Sequence, residues 1–116
     1  MKTAYFWLTP QGEQLALRLQ EAFGGTIEPK AAFDAAVRRD FAACDLLVFI
    51  MASGIAVRKI APLVQSKASD PAVLVLDQQG KYVISLLSGH LGGANAAARH
   101  FAAYLGGEAV ITTATD

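Results

Sequence analysis

The stretch VISLLSGHLGGANAAARHFAAYL, Val83 to Leu105, decides the fold. It opens on an apolar run, Val83 to Leu87, that predicts a buried strand. Leu91, Ala94, Ala98, Phe101 and Leu105 then recur at steps of three and four, which predicts a helix over residues 91–105 with these side chains on one face. Ser88-Gly89-His90 therefore sits where a strand passes into a helix. In an open α/β sheet such turns gather at the carboxyl edge, where ligands bind. A helix start also carries unpaired N–H groups and a partial positive charge. Gly89, Gly92 and Gly93 let a ligand or another backbone come close, and His90 exchanges its proton near neutral pH.

Upstream, Leu46 to Met51 reads as a continuous apolar strand covered on both faces. Ser53-Gly54 opens a short helix to about Ile60, and Pro62 limits its continuation. This is a second strand–turn–helix junction, expected to open onto the same rim as the first. Residues Val64 to Ser69 read as a polar loop before Asp70-Pro71. Val73 to Leu76 is the next strand, and Asp77-Gln78-Gln79-Gly80 has the pattern of a turn closing a hairpin, with Tyr82 to Leu87 as the antiparallel partner.

Further out, Ala4 to Leu8 predicts a first strand. Thr9-Pro10 is a helix start signal, followed by the stripe Leu15, Leu19, Ala22 and Phe23, with Gly24-Gly25 as the stop. A helix over about Pro29 to Phe41 turns Phe33, Ala36, Val37 and Phe41 inward and leaves Asp34, Arg38, Arg39 and Asp40 as a solvated face. Thr26-Ile27-Glu28 is an optional short strand. Gly106-Gly107 stops the last helix, and Ala109 to Thr112 forms a final strand. The expected architecture is α/β: a three-layer open, mostly parallel sheet with one antiparallel hairpin and helices on both faces. Residues 1–116 read as a single α/β domain, and the close of the chain just after an apparent strand reads as the boundary of a domain in a longer protein.

Composition narrows the function. Of 116 residues, 53% are hydrophobic and 17% charged, as in a chain that buries one core. Lysine plus arginine equals aspartate plus glutamate, so no net basic field points to nucleic acid. The longest apolar run, Leu46 to Val57, is too short to span a bilayer, and the first residues carry no leader cleavage pattern, so a cytoplasmic location and no membrane partner are expected. Cys44 is the sole cysteine and reads as a buried thiol. No metal-ligand spacing is present, and no metal site is expected.

The Ser88 to Gly93 turn has neither the lysine-serine/threonine ending of a phosphate loop nor the glycine spacing of a dinucleotide fingerprint. It reads either as an anion site at a helix start or as a tight turn needing small residues. Ser53 reads either as a helix cap or, with Gly54, Ile55 and Arg58, as part of a carboxylate site. Asp77 is taken up by its hairpin. Asp70 either caps the turn before its strand or acts as an acid or base. His100 falls on the polar face of the last helix, and Trp7, Tyr82 and Tyr104 read as core or rim aromatics.

Four blocks, FIMASGIAVR (Phe49 to Arg58), KASDPAV (Lys67 to Val73), ISLLSGHLGGAN (Ile84 to Asn95) and ITTATD (Ile111 to Asp116), resemble in order the amino-terminal domain of the cobalamin biosynthesis family that acts as cobalt-precorrin-5A hydrolase. The resemblance covers about the last two-thirds of the chain. It implies hydrolysis on the anaerobic route to vitamin B12, with opening of a δ-lactone on a cobalt-containing tetrapyrrole and release of acetaldehyde. It also implies a carboxyl-terminal domain as partner and no protein cofactor, since the substrate carries its own cobalt. Lactone opening needs an activated water and a group to stabilise the oxyanion. The resemblance thus suggests His90 and Ser88 for catalysis. For the anionic substrate it suggests Ser53, Gly54, Arg58, Asp70, Gly89, Gly92, Gly93 and Asn95, with Lys59 and Lys67 as further anchors. The alternative is a non-catalytic binding module for the anionic corrinoid intermediate or for a partner enzyme.

Overall fold

Strands form where the sequence is apolar and uninterrupted. In the computed structural model, which describes residues 1–114, these are β1 (Thr3–Trp7), β2 (Thr26–Ile27), β3 (Leu46–Ile50), β4 (Ala72–Leu76), β5 (Tyr82–Leu87) and β6 (Glu108–Val110). Thr115 and Asp116, which end the fourth block, lie outside the described residues. The helices are α1 (Pro10–Phe23), α2 (Phe33–Ala43), α3 (Ser53–Ile60) and α4 (Ala94–Leu105). The Thr9 signal works as expected: its hydroxyl accepts from the Gly12 amide at 3.0 Å, and Pro10 begins α1. The optional strand at residues 26–27 is present, as a two-residue edge.

The sheet order is β2-β1-β3-β4-β5-β6. Neighbours are parallel except β4 and β5, so the mixed, mostly parallel sheet expected from the sequence is present. Every residue of β3 and β4 is buried, which explains their lack of apolar–polar alternation. On one face Leu15 and Leu19 of α1 and Phe101 of α4 pack over Tyr5, Leu46 and Leu74. On the other, Val37 of α2 and Ile60 of α3 pack over Phe6, Phe49 and Val75.

The hairpin decides the layout of the last third. Asp77 accepts from the amides of Gln79 at 3.2 Å and Tyr82 at 2.7 Å and so closes the turn. Val83 then lies opposite Leu76, and Leu87 opposite Val73. The carboxyl end of β5 is therefore at the edge where β1, β3 and β4 begin, called here the amino edge. The turn at Ser53-Gly54 follows β3 and lies at the opposite, carboxyl edge. The expectation that the two junctions share one rim is thus overturned: five residues of strand, roughly 16 Å, separate them. An antiparallel strand delivers its following turn to the other edge, which the direction of the hairpin already required.

The start of α4 is also later than expected. Gly93 has φ 86° and is the helix cap, and the helix begins at Ala94, not at Leu91. A left-handed residue cannot sit within a right-handed helix, so the periodicity that begins at Leu91 is interrupted. Leu91 is 63% exposed and lies outside the apolar stripe.

The expected solvated face of α2 is corrected at Asp40, which is buried beside Glu28 with the Arg39 guanidinium bonded to both. Burial raises the Glu28 carboxyl above its ordinary range, the neighbouring Asp40 adds to this, and Arg39 opposes it. A carboxyl raised in the folded state contributes stability that is present below the unfolded value near 4.5 and is lost as pH rises through the folded value. The change Glu28→Gln is expected to remove that loss, so its urea midpoint relative to wild type should be higher at pH 7 than at pH 4.5. Tyr5 gives a second prediction. Its buried hydroxyl donates to the Gly24 carbonyl at 2.7 Å, and burial pushes its pKa up to about 12. Stability is then lost as pH rises from the unfolded value near 10 through 12. Tyr5→Phe should cost about 1 kcal/mol at neutral pH and should show less alkaline destabilisation in the same unfolding measurement.

Candidate functional site at the amino edge

Three of the four resembling blocks meet at the amino edge. The segment Lys67 to Val73 leads into β4, Ile84 to Asn95 leaves β5, and Ile111 to Thr113 follows β6. They are tied together by side chains. The Ser88 hydroxyl donates to the Asp70 carbonyl at 3.2 Å. Asn95, 5% exposed, accepts from the Ser85 hydroxyl at 2.7 Å and donates to Thr113 Oγ1 at 3.0 Å. The Ala94 and Asn95 amides donate to the Ser88 and Gly89 carbonyls. The loop 88–93 is thus pinned at both ends.

Two backbone features shape it. Ser88 has φ 57°, left-handed for a residue with a side chain, which costs of order 1 kcal/mol unless neighbours hold it. Gly92 lies against it: a Cβ there would meet Ser88 Cβ at 2.5 Å and the Ser88 carbonyl oxygen at 2.9 Å. Small residues are required at this turn for close packing. Between the pinned ends, His90 is exposed and lines a cavity of about 250 Å³ with Gly89, Gly93, Asn95, Ala96 and Arg99. Among the described residues, the amides of Gly89, His90, Leu91 and Gly92 have no hydrogen-bond partner.

The remaining candidates separate cleanly. Ser88 is 9% exposed with its hydroxyl committed to Asp70, and Asn95 has both amide groups committed, so both position the loop. Asp70 is buried, and its carboxylate accepts from the Gln65 and Ser66 amides, which fixes the turn before β4. That corresponds to the capping alternative. Lys67 is exposed in the same loop. The anion site at the start of α4 loses two of its amides to loop carbonyls, which leaves little of the expected helix-start site.

At the carboxyl edge, Ser53 is the first residue of α3 rather than its cap, which is Ala52, and makes no capping bond. The guanidinium of Arg58 does lie over Gly54, since a side chain built there would meet Nη1 at 3.5 Å. Lys59 is paired with Asp34 at 2.7 Å and lowers the Asp34 carboxyl pKa. The crevice between β1 and β3, where the strand order reverses, is a cavity of about 300 Å³ lined by Leu8, Ile50, Met51 and Ile55 together with Thr9, Asp77 and Gln78. Arg99 went unnoticed in the sequence. Its signal is its place one helical turn after Asn95, visible only once the helix is known to begin at Ala94.

These features define an open α/β domain with a glycine-rich loop held at the amino edge. The chain belongs to the family described as Cobalamin synthesis G N-terminal, whose model matches residues 35–116. A cobalt-precorrin-5A hydrolase of Salmonella typhimurium is 49% identical over 125 residues, covering 97% of this chain and 36% of that protein. A protein of the same name from Priestia megaterium is 53% identical over 70 residues, 60% of this chain and 19% of that protein. A crystal structure described as a cobalamin biosynthesis protein G homolog from Sulfolobus solfataricus superposes with a TM-score of 0.82 at 28% identity, over 96% of this chain and 36% of that one. The chain therefore spans little more than a third of the Salmonella protein.

Removing the clamp tests the geometry. Asn95→Ala strands the Ser85 and Thr113 hydroxyls and is expected to cost about 1–3 kcal/mol of stability. Hydrogen exchange at the Ala94 and Asn95 amides should quicken by more than exchange in β3.

Proposed function

We propose that this chain supplies the amino-terminal domain of a cobalt-precorrin-5A hydrolase, which opens the δ-lactone of the cobalt-containing tetrapyrrole and releases acetaldehyde. The observation that carries this reading is the 49% identity to a protein of that name over 97% of the chain. The cobalt arrives with the substrate, so no resident cofactor is invoked. The remaining length of the relatives supplies a carboxyl-terminal partner domain. No described helix is long and apolar enough to cross a membrane, and a cytoplasmic location suits an enzyme of small-molecule synthesis.

Lactone opening adds water to the ring carbonyl, places negative charge on its oxygen, and breaks the ring C–O bond as that charge collapses, the leaving oxygen taking back the proton removed from water. The freed alcohol then leaves as acetaldehyde when its C–C bond to the macrocycle breaks and that carbon takes up a proton. His90 is the group at the amino edge suited to take the proton from water, because its imidazole is exposed and lines the cavity. The amides of Gly89 and His90, two residues that line this cavity, are suited to the carbonyl oxygen as it gains charge. Ser88, Asn95 and Asp70 keep the loop in shape, and Lys67 lies on the same edge as a carboxylate anchor. Ser53, Gly54 and Arg58 stand at the other edge and have no part in this step.

His90→Ala tests the assignment in the protein at its native length. Since His90 is exposed, stability should be unchanged. Acetaldehyde release should fall about 10²-fold or more, the usual worth of a positioned general base. Unchanged turnover would remove His90 from catalysis, and loss of turnover with macrocycle binding retained would support it. A wild-type protein that binds the macrocycle without releasing acetaldehyde would make the chain a binding module.

A further inference from the structure

The His90 cavity does not stand alone. A second cavity, of about 370 Å³, lies between the carboxyl end of α1 and the first half of α4. It shares Gly93 and Ala96 with the first, so the two adjoin along the amino edge. The two halves differ in chemistry. The second is lined by Phe23, Phe101, Leu46 and Ala97, with Phe23 and Phe101 stacked at 4.4 Å between centroids and Phe23 still 41% exposed. The first is polar and holds His90 and Arg99, and His100 lines the second.

The charge is one-sided. The chain has as many acidic as basic residues, yet among the described residues no aspartate or glutamate lines either half. Arg99 forms no ion pair among the described residues, whereas Arg39 and Lys59 each do. A partly exposed Phe23 ring, with a guanidinium that forms no ion pair in the adjoining cavity, is a costly surface to leave to water, and such patches mark binding sites. The complementary ligand is flat, largely apolar across its face and anionic at its rim.

We infer that this groove is the seat of the tetrapyrrole, with the apolar face of the ring on Phe23, which buried Phe101 backs, a peripheral carboxylate on Arg99, and the lactone thereby brought to the His90 end. The inference rests on the hydrolase reading for the identity of the ligand. It adds two residues outside the loop, on α1 and α4, that set binding rather than chemistry. Arg99 offers a planar fork for a carboxylate, and its position on a helix fixes its distance from His90. Phe23 contributes contact that does not depend on salt, and Arg99 contributes contact that does.

The experiment titrates the native-length protein with cobalt-precorrin-5A under anaerobic conditions, following the absorbance of the macrocycle, and assays acetaldehyde in parallel. Arg99→Glu should weaken binding by about tenfold or more and should flatten its dependence on salt, while Arg99→Lys should keep the salt dependence and lose part of the affinity, because an ammonium lacks the fork. Phe23→Ala should weaken binding about tenfold with the salt dependence unchanged. Both positions are exposed, and the far-ultraviolet circular dichroism and thermal midpoint of each variant confirm that it is folded. Lys81→Glu, at the hairpin turn on the opposite edge, should change nothing. Wild-type affinity in both Arg99→Glu and Phe23→Ala would overturn the inference even with hydrolysis intact. Loss of turnover in His90→Ala with these two variants unaffected would leave the hydrolase reading standing and remove the groove from it. Absence of both binding and acetaldehyde release in wild type would overturn the two together.

Discussion

The Asp77 turn governs where everything downstream can be. Its carboxylate holds the amides of Gln79 and Tyr82, and the chain reverses between β4 and β5. Had the connection been a helical crossover like those before it, β5 would run parallel and Ser88 would emerge at the carboxyl edge with Gly54. The reversal sends it to the other edge. α4 then carries the chain back, and β6 returns alongside β5, so that Ile111 to Thr113 arrive next to the same loop. One turn thus gathers three stretches that are far apart in sequence.

The gathered loop is built to be firm at its ends and open in the middle. Buried Asn95 joins β5 to the segment after β6, Ser88 joins the loop to the residues before β4, and Gly92 fills the space beneath Ser88. A buried polar hub of this kind stabilises only while all its partners are present. His90 lies between these fixed points and is constrained through the backbone alone. The arrangement places an imidazole at the mouth of a groove without sealing it from the ligand.

Much of the fold was legible in the sequence, because strand and helix signals here agree with the tertiary environment. The apolar runs at Leu46 to Ile50 and Val73 to Leu76 are buried on both faces, and Thr9-Pro10 caps as its chemistry demands. What failed was three-dimensional. Hydrophobic periodicity assigned Leu91 to a helix, but the backbone angle at Gly93 broke the pattern, and an angle leaves no periodicity to detect. Charge pattern assigned Asp40 to the surface, although the Arg39 guanidinium, bonded both to Asp40 and to Glu28 in the connection before α2, allows it to be buried. In the candidate site, His90 and its glycines were legible from local sequence. Arg99, Phe23 and Phe101 were not, since they come together only when α1 and α4 lie side by side on the sheet.

The left-handed backbone at Ser88 has a consequence for how losses of function would be interpreted. A serine next to a histidine in a glycine-rich turn invites comparison with a nucleophile and its base. Here the hydroxyl is a tether, and the strained dihedral depends on it and on the missing side chain at Gly92. An inactive Ser88 variant would therefore report a slackened hinge, with the imidazole displaced, rather than the removal of an attacking oxygen.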